Sequence, residues 1–287
     1  MALQQKYLSS SVLAITAFSA LLLYDPSQGL ALPLGAELAS FAVLGGSTVT
    51  NTGATTLTGN LGVSPGSAIS GFFGTVENDG PGTFSGASYQ AVAFAGLAHD
   101  QLGLGSAGEL QSLGLLGAGT LLSADLVGLV LNPGIYTVAA GPTNLSGTLT
   151  LDGQGNANAL WVFQMPSTLI TSPGSVVSVI NTGSGAGLFW NVGSSATIDT
   201  TTSFQGNILA LTDISLNTGA TIGCGRALAY NGQVSLQANT VGTACTQAIS
   251  EGGGSNGFSG SVPEPSTWLL LGSGLAGLAA WRRKQAA

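Results

Sequence analysis

Short runs of apolar and β-branched residues recur along this chain, each broken after a few positions by Gly, Asn or a hydroxyl-bearing pair. Ala42-Val43-Leu44, Ser47-Thr48-Val49-Thr50 and Thr55-Thr56-Leu57-Thr58 open the pattern, with Ser64-Pro65-Gly66 and Asp79-Gly80-Pro81-Gly82 as turns between later runs. From Pro133-Gly134 to about Thr243 the chain is strand-like throughout. There Ile170 to Val176, Ile198 to Phe204 and Leu216 to Ile222 share one template: an apolar residue, small or hydroxyl residues, and a closing apolar residue. Leu236 to Val241 fits it with one residue fewer, and an apolar run precedes each copy. The last three copies begin 18 and 20 residues apart. A period near 20 made of short strands predicts coils stacked on one another with apolar side chains inside.

One segment breaks the pattern. Residues 87–102 hold many alanines, no proline and a single glycine, which predicts a helix apolar nearly all round and therefore buried against a sheet. Residues 109–133 are rich in Leu and Gly, with room for one or two short helices. The pentapeptide Asn-Thr-Gly-Ala-Thr stands at 51–55, before this interruption, and again at 217–221, after it. The expected architecture is therefore mainly β: a discontinuous parallel β-solenoid of three-faced coils, with one α-helix packed alongside.

Composition narrows the function. Of 287 residues, 45 are Gly and only 6% are charged, far from a disordered composition because 44% are hydrophobic. Four of the five basic residues, Lys6, Arg282, Arg283 and Lys284, lie near the termini, leaving Arg226 as the one cation between them. Nucleic acid is excluded as a partner on that basis. No metal or cofactor motif is present. His99 is the single histidine, on the predicted helix with no pattern locating a nucleophile, and Asp152, Asn156 and Asn158 read as an Asx/Gly turn before a calcium loop. No enzyme activity is expected.

The two ends read as addresses. Residues 1–31 carry Lys6, an apolar stretch from Ser11 to Leu23 and small residues at Gly29-Leu30-Ala31, the layout of a secretory signal peptide. The domain proper is expected over 32–247, followed by a Gly/Ser linker over 248–261. In 262–287, Pro263-Glu264-Pro265 precedes an apolar run, 268–281, with Trp at both edges and Arg282-Arg283-Lys284 behind it. This tail resembles the PEP-CTERM sorting signal of Gram-negative bacteria. That resemblance implies export across the inner membrane, a transmembrane helix at 268–281, and an exosortase that cleaves the tail and leaves the protein extracellular. Exported, Cys224 and Cys245 either form one disulfide or remain two buried thiols.

Trp161-Val162-Phe163-Gln164, Phe189-Trp190-Asn191-Val192, Phe204-Gln205-Gly206-Asn207-Ile208 and Gly225-Arg226-Ala227-Leu228-Ala229, with Val49 to Gly53 and Gly62 to Gly66, resemble the secreted ice-binding proteins of microbes over about residues 34–243. The resemblance implies an antifreeze-like, non-enzymatic protein whose ligand is ice or ordered water, held on one flat solenoid face. A Thr, Ala/Gly, any, Thr/Asn pattern found there in some members fits Thr52 to Thr55 and Thr218 to Thr221. It fits Thr200 to Ser203 and Ser172 to Ser175 loosely, and reaches Asn239 in part. The candidate ice-facing residues are thus Thr52, Thr55, Ser172, Ser175, Thr200, Ser203, Thr218, Thr221 and Asn239. The competing reading is a matrix or adhesive surface protein associated with exopolysaccharide.

Overall fold

Strict alternation makes most of the strands. In Thr148–Asp152, Thr-Leu-Thr-Leu-Asp, the two leucines are buried and the threonines turn outward. Ile214–Leu216 and Ala196–Ile198 likewise bury both ends and show Ser215 and Thr197. The computed structural model describes residues 36–93, 95–96, 116–183 and 185–243, so the expected leader, linker and sorting tail lie outside it. Among the described residues no helix is long and apolar enough to cross a membrane.

Every strand pair is parallel, as expected of stacked coils. A six-stranded sheet runs in the order Leu169–Ile170, Ala196–Ile198, Ile214–Leu216, Val234–Gln237, Thr48–Thr52, Ala68–Ser70. A fifteen-stranded sheet divides into two arms. The first arm stacks Val130–Leu131, Thr148–Asp152, Val176–Ile180, the starts of Ser203–Ala210 and Thr221–Ala229, then Thr240–Gly242, Thr56–Thr58 and Thr83–Phe84. The second stacks Thr120–Leu122, Gly134–Val138, Leu160–Met165, Gly187–Val192, the ends of the same two long strands, then Phe41–Gly45, Asn60–Val63 and Ser88–Gln90. The long strands bend at a register shift after Gln205, where Gly206 and Cys224 take positive φ values of 99° and 51°. A Cβ on Gly225 would collide with the Gly206 carbonyl there. Cys224 is disulfide-bonded; Cys245 lies outside the described residues.

In both sheets the N-terminal strands continue the stack beyond the C-terminal ones: Val234–Gln237 is followed by Thr48–Thr52, and Thr221–Ala229 by Phe41–Gly45. The order in space is therefore discontinuous in sequence.

The interior is filled by side chains from all three stacks. Tyr136, Phe163, Trp190 and Phe204 pile up from one winding to the next, with centroid separations of 5.5, 4.2 and 5.0 Å. The indole N–H groups of Trp161 and Trp190 donate to the carbonyls of Leu131 and Gln205. The second arm is also buried on its outer side, where Phe41, Leu44, Val162, Phe189, Leu209 and Leu228 cluster with Leu38 and Ala95.

Two expectations are corrected. The helix expected over 87–102 does not start at Ala87: Ser88–Gln90 is a strand on Asn60–Val63, and Tyr89 packs edge-on to Phe41 at 5.6 Å. Tertiary pairing overrides the alanine-rich propensity there. Positions 91 and 92 are not helical, 93, 95 and 96 are, and 94 and 97–102 lie outside the described residues. Within 116–133 short strands, Thr120–Leu122 and Val130–Leu131, replace the short helices that the Leu/Gly composition allowed.

A helix over Ala36–Ala39 was not anticipated, and Arg226 explains its place. The guanidinium, 4% exposed, donates through Nε and Nη2 to the Ala39 carbonyl and through Nη1 to Asn207 Oδ1. Burial lowers its pKa to about 9, which leaves it charged at neutral pH. Arg226→Met is expected to cost about 2–4 kcal/mol, since it removes the donors that those two oxygens accept. Thermal denaturation followed by circular dichroism checks this; an unchanged Tm would mean that the latch contributes nothing.

Candidate functional site

The second arm is covered by Leu38 and Ala95, so the six-stranded sheet and the first arm are the sheet faces with an outward polar side. They differ in what they present. On the first arm, strand register lines up Thr148, Val176, Ser203, Thr221, Thr240, Thr56 and Thr83 in one outward row. Behind them Leu149, Val177, Phe204, Ile222, Val241 and Leu57 are buried at 1% exposure or less. The row is thus a line of hydroxyls and methyls fixed to a packed wall, with one Val in it and no charge. Nothing among the described residues hydrogen-bonds the side-chain hydroxyls of Ser203, Thr240, Thr56 and Thr83, so they face water. A second row, Val130, Thr150 and Ser178, begins beside it and is interrupted at Gln205, Gly223 and Gly242 before Thr58.

The six-stranded sheet also carries an outward row: Ile170, Thr197, Ser215, Ser235, Thr50, Ser70. Its hydroxyls are more engaged with one another. Ser235 donates to Ser215 at 3.1 Å, and Ser195 and Thr212 pair at 2.7 Å at its margin. Asp213 and Asp199 stand at its edges. The Asn217 side-chain amide, then the Thr200 backbone N–H, hold Asp199 below the usual carboxylate range, so a charge persists beside this face well into acid.

The corner between these two faces holds the repeated pentapeptide, and the structure shows a one-residue offset between its copies. Leu216 pairs with Leu236 and Leu236 with Asn51, while Thr221 pairs with Thr240 and Thr240 with Thr56. Asn51 therefore stands level with Leu216, not Asn217, and Thr56 rather than Thr55 stands level with Thr221. The alternation of Thr48–Thr52 forces this: Val49 and Asn51 are its inward positions. Asn51 is tolerated inside because its amide donates to the carbonyls of Gly53 and Gly71 and its oxygen accepts from Thr55 Oγ1.

The nine sequence-derived candidates divide accordingly. Ser203 and Thr221 belong to the outward row. Thr52 and Thr218 are exposed at the corner, where Thr218 Oγ1 donates to Gln237 Oε1 at 3.1 Å; Thr200 and Ser172 are half-buried there. Thr55, Ser175 and Asn239 are each 1% exposed and turn inward. They do not face solvent, because the last residue of each corner closes the coil. Thr148, Thr56, Thr240 and Thr83 are row members that the motif search missed. The signal for them is the hydroxyl-apolar alternation of Thr148-Leu149-Thr150 and Thr56-Leu57-Thr58.

Asp152 and Asn156 form Asx turns: Asp152 Oδ1 accepts from the Gln154 amide and from Asn181 Nδ2, and Asn156 Oδ1 from the Asn158 amide. No group of three or more His, Cys, Asp or Glu capable of holding a metal occurs among the described residues. His99 lies outside them.

Comparisons with known proteins bear on this geometry. Residues 43–242 match the family model described as ice-binding-like, and 261–284 match the PEP-CTERM protein-sorting motif. An ice-binding protein of Nostoc sp. (strain HG1) is 41% identical over 268 residues, covering 93% of this chain and 92% of that one. An ice-binding protein of Colwellia sp. is 32% identical over 218 residues, 71% of this chain and 81% of its own. Among solved structures, an ice-binding protein from an Antarctic biological consortium superposes with a TM-score of 0.64 at 37% identity, over 74% of this chain and 90% of that one. One from the Antarctic ascomycete Antarctomyces psychrotrophicus gives 0.62 at 32%, over 74% and 98%.

Proposed function

The chain belongs to the ice-binding-like protein family, and from that premise we propose that it is an extracellular ice-binding protein that adsorbs through the first arm of its long sheet. The fold is read as a discontinuous, three-faced β-solenoid, and the protein as a non-enzymatic one whose ligand is the ice surface. The observation that carries the choice of face is the uncharged row Thr148, Val176, Ser203, Thr221, Thr240, Thr56, Thr83, whose hydroxyls are largely left to water.

The chemistry follows from the spacing. Parallel strands lie about 4.7–4.9 Å apart and alternate residues along a strand about 6.6–6.8 Å apart, so the outward groups form a two-dimensional lattice. Hydroxyls anchor water at lattice points while the threonine methyls limit how that water reorients. Water ordered in this way merges with a growing crystal plane. Each contact is weak, and a rigid array loses little entropy when it binds. A charge would orient water radially and break the pattern; the row has none.

The PEP-CTERM tail implies processing by an exosortase. We take residues 1–31 as the leader and the apolar run 268–281 as a transient membrane anchor, cleaved to leave the domain extracellular.

Thermal hysteresis and inhibition of ice recrystallisation, measured on the purified protein, test the proposal. Burst-like or shaped crystal growth and small grains after annealing are expected. Crystals indistinguishable from buffer would end the ice reading, and retention on exopolysaccharide in its place would favour a matrix role.

A further inference from the structure

The corner between the two hydroxyl faces is four residues long in most windings: 172–175, 199–202, 217–220 and 52–55 lie between aligned strand positions. Apart from Ser146-Gly147 in an early winding, the short corner is Gln237-Ala238-Asn239, three residues long. That short corner is also where the chain's two halves meet, since it stacks between 217–220 from its own half and 52–55 from the N-terminal half. A missing residue at this joint ought to pull Thr240 out of line with its neighbours, yet Thr240 stays in register with both Thr221 and Thr56.

Asn239 accounts for this. Its side chain points inward at 1% exposure, and its Nδ2 donates to the Asn217 and Ala220 carbonyls at 2.8 and 3.0 Å. Its Oδ1 accepts from the Gln237 amide across its own corner. On the other side its backbone N–H donates to Thr55 Oγ1 at 3.0 Å, and its carbonyl accepts from the Thr56 amide at 2.8 Å. Thr55 in turn donates to Asn51. The carboxamide supplies a donor pair and an acceptor where the short corner lacks one peptide unit.

We infer that Asn239 is a positioning residue for the ice-facing row: its buried amide splices the N-terminal windings onto the C-terminal ones and keeps Thr221, Thr240 and Thr56 in one line. The Thr55 hydroxyl is the matching half of the splice. This rests on the assignment of the first arm as the ice-binding face. A side chain that never meets ice thereby sets how many windings act as a single array. Without it the array divides into two shorter lattices, one on each side of the joint.

Asn239→Ala, Asn239→Asp and Thr55→Val are compared with Asn144→Ala. Asn144 is a control of the same kind far from the joint: fully buried, it donates to the Ala124 carbonyl and accepts from the Ile170 amide. Each variant is assayed at a temperature where circular dichroism finds it fully folded. The expected result is that the Asn239 and Thr55 variants need on the order of tenfold more protein for the same inhibition of recrystallisation, as loss of buried hydrogen bonds converts to binding. Asn144→Ala should lose Tm but keep its activity per folded molecule, and Thr55→Ser should restore activity. Aspartate, isosteric but lacking the Nδ2 donors, serves if alanine fails to fold. Full activity in folded Asn239→Ala and Asn239→Asp would overturn the inference while leaving the ice-binding face intact. Equal loss in Asn144→Ala would overturn it too, by reducing the effect to stability. An inactive parent protein would instead remove the reading on which it rests.

Discussion

Thr221→Tyr is expected to weaken ice adsorption sharply and to leave the protein folded. Thr221 sits mid-row, with Ser203 on one side and Thr240 on the other. A phenol ring there stands proud of the two neighbouring threonine-sized steps and holds the surface off a flat crystal plane over several windings. The side chain is half-buried and turned away from the core, so stability should change by only about 0.5 kcal/mol, as for ordinary surface substitutions. Activity should fall on the order of tenfold or more, because adsorption depends on many weak contacts made together. Thermal hysteresis and melting temperature measured on the same preparation separate the two effects. Ser215→Tyr, the equivalent lesion on the six-stranded sheet, is the counterpart and should leave activity near the parent level. The opposite outcome, with Ser215→Tyr inactivating and Thr221→Tyr harmless, would move the ice-binding face to the smaller sheet.

Trp190→Ala has the largest expected effect on stability. Trp190 is fully buried, stacks on Phe163 at 4.2 Å and an interplanar angle of 11°, and leans on Phe204 at 5.0 Å. Its indole N–H also satisfies the Gln205 carbonyl at the bend between the two arms. Large-to-alanine changes at such positions cost about 3–5 kcal/mol, and the neighbouring rings, held by their own strands, have little freedom to close the void. For a domain of this size that corresponds to a Tm lower by about 10 °C. Trp190→Phe should recover most of it, since it keeps the stack and loses the hydrogen bond and part of the volume. Calorimetric melting of both variants checks the ordering; equal Tm values would mean that the ring pile carries no special weight.

Much of the fold was legible in the letters, and the reason is periodicity. Strands such as Thr148–Asp152 and Val176–Ile180 alternate cleanly, and the 18- and 20-residue spacing of Ile198, Leu216 and Leu236 is the stacking period itself. Which strand the early pentapeptide stacks upon was not legible, because parallel pairing between residues 48–52 and 234–237 leaves no local trace. The candidate site was read less well for a related reason. Matching letters between the two pentapeptides aligns Thr55 with Thr221, whereas backbone alternation aligns Thr56 with it. A motif search compares residues; a strand compares parities, and Val49 fixed the parity. Asn239 looked like a polar outward residue because asparagine usually is one. Only its four partners show that it is an internal brace.

The non-sequential order of windings has a consequence for how the molecule responds to being shortened. In an ordinary repeat array the last repeat is a terminal unit, and removing it exposes one new end. Here the C-terminal strands Thr221–Ala229 and Thr240–Gly242 lie in mid-stack, flanked on one side by 203–210 and on the other by 41–45 and 56–58. A chain that stops before residue 221 therefore lacks its keystone, not its tip. The N-terminal windings have nothing to lean on until nearly the whole domain has been delivered, so a half-made chain shows open strand edges on two separate blocks. Completion of the stack is a late event, because the strands that join its two blocks are among the last of the domain to be made.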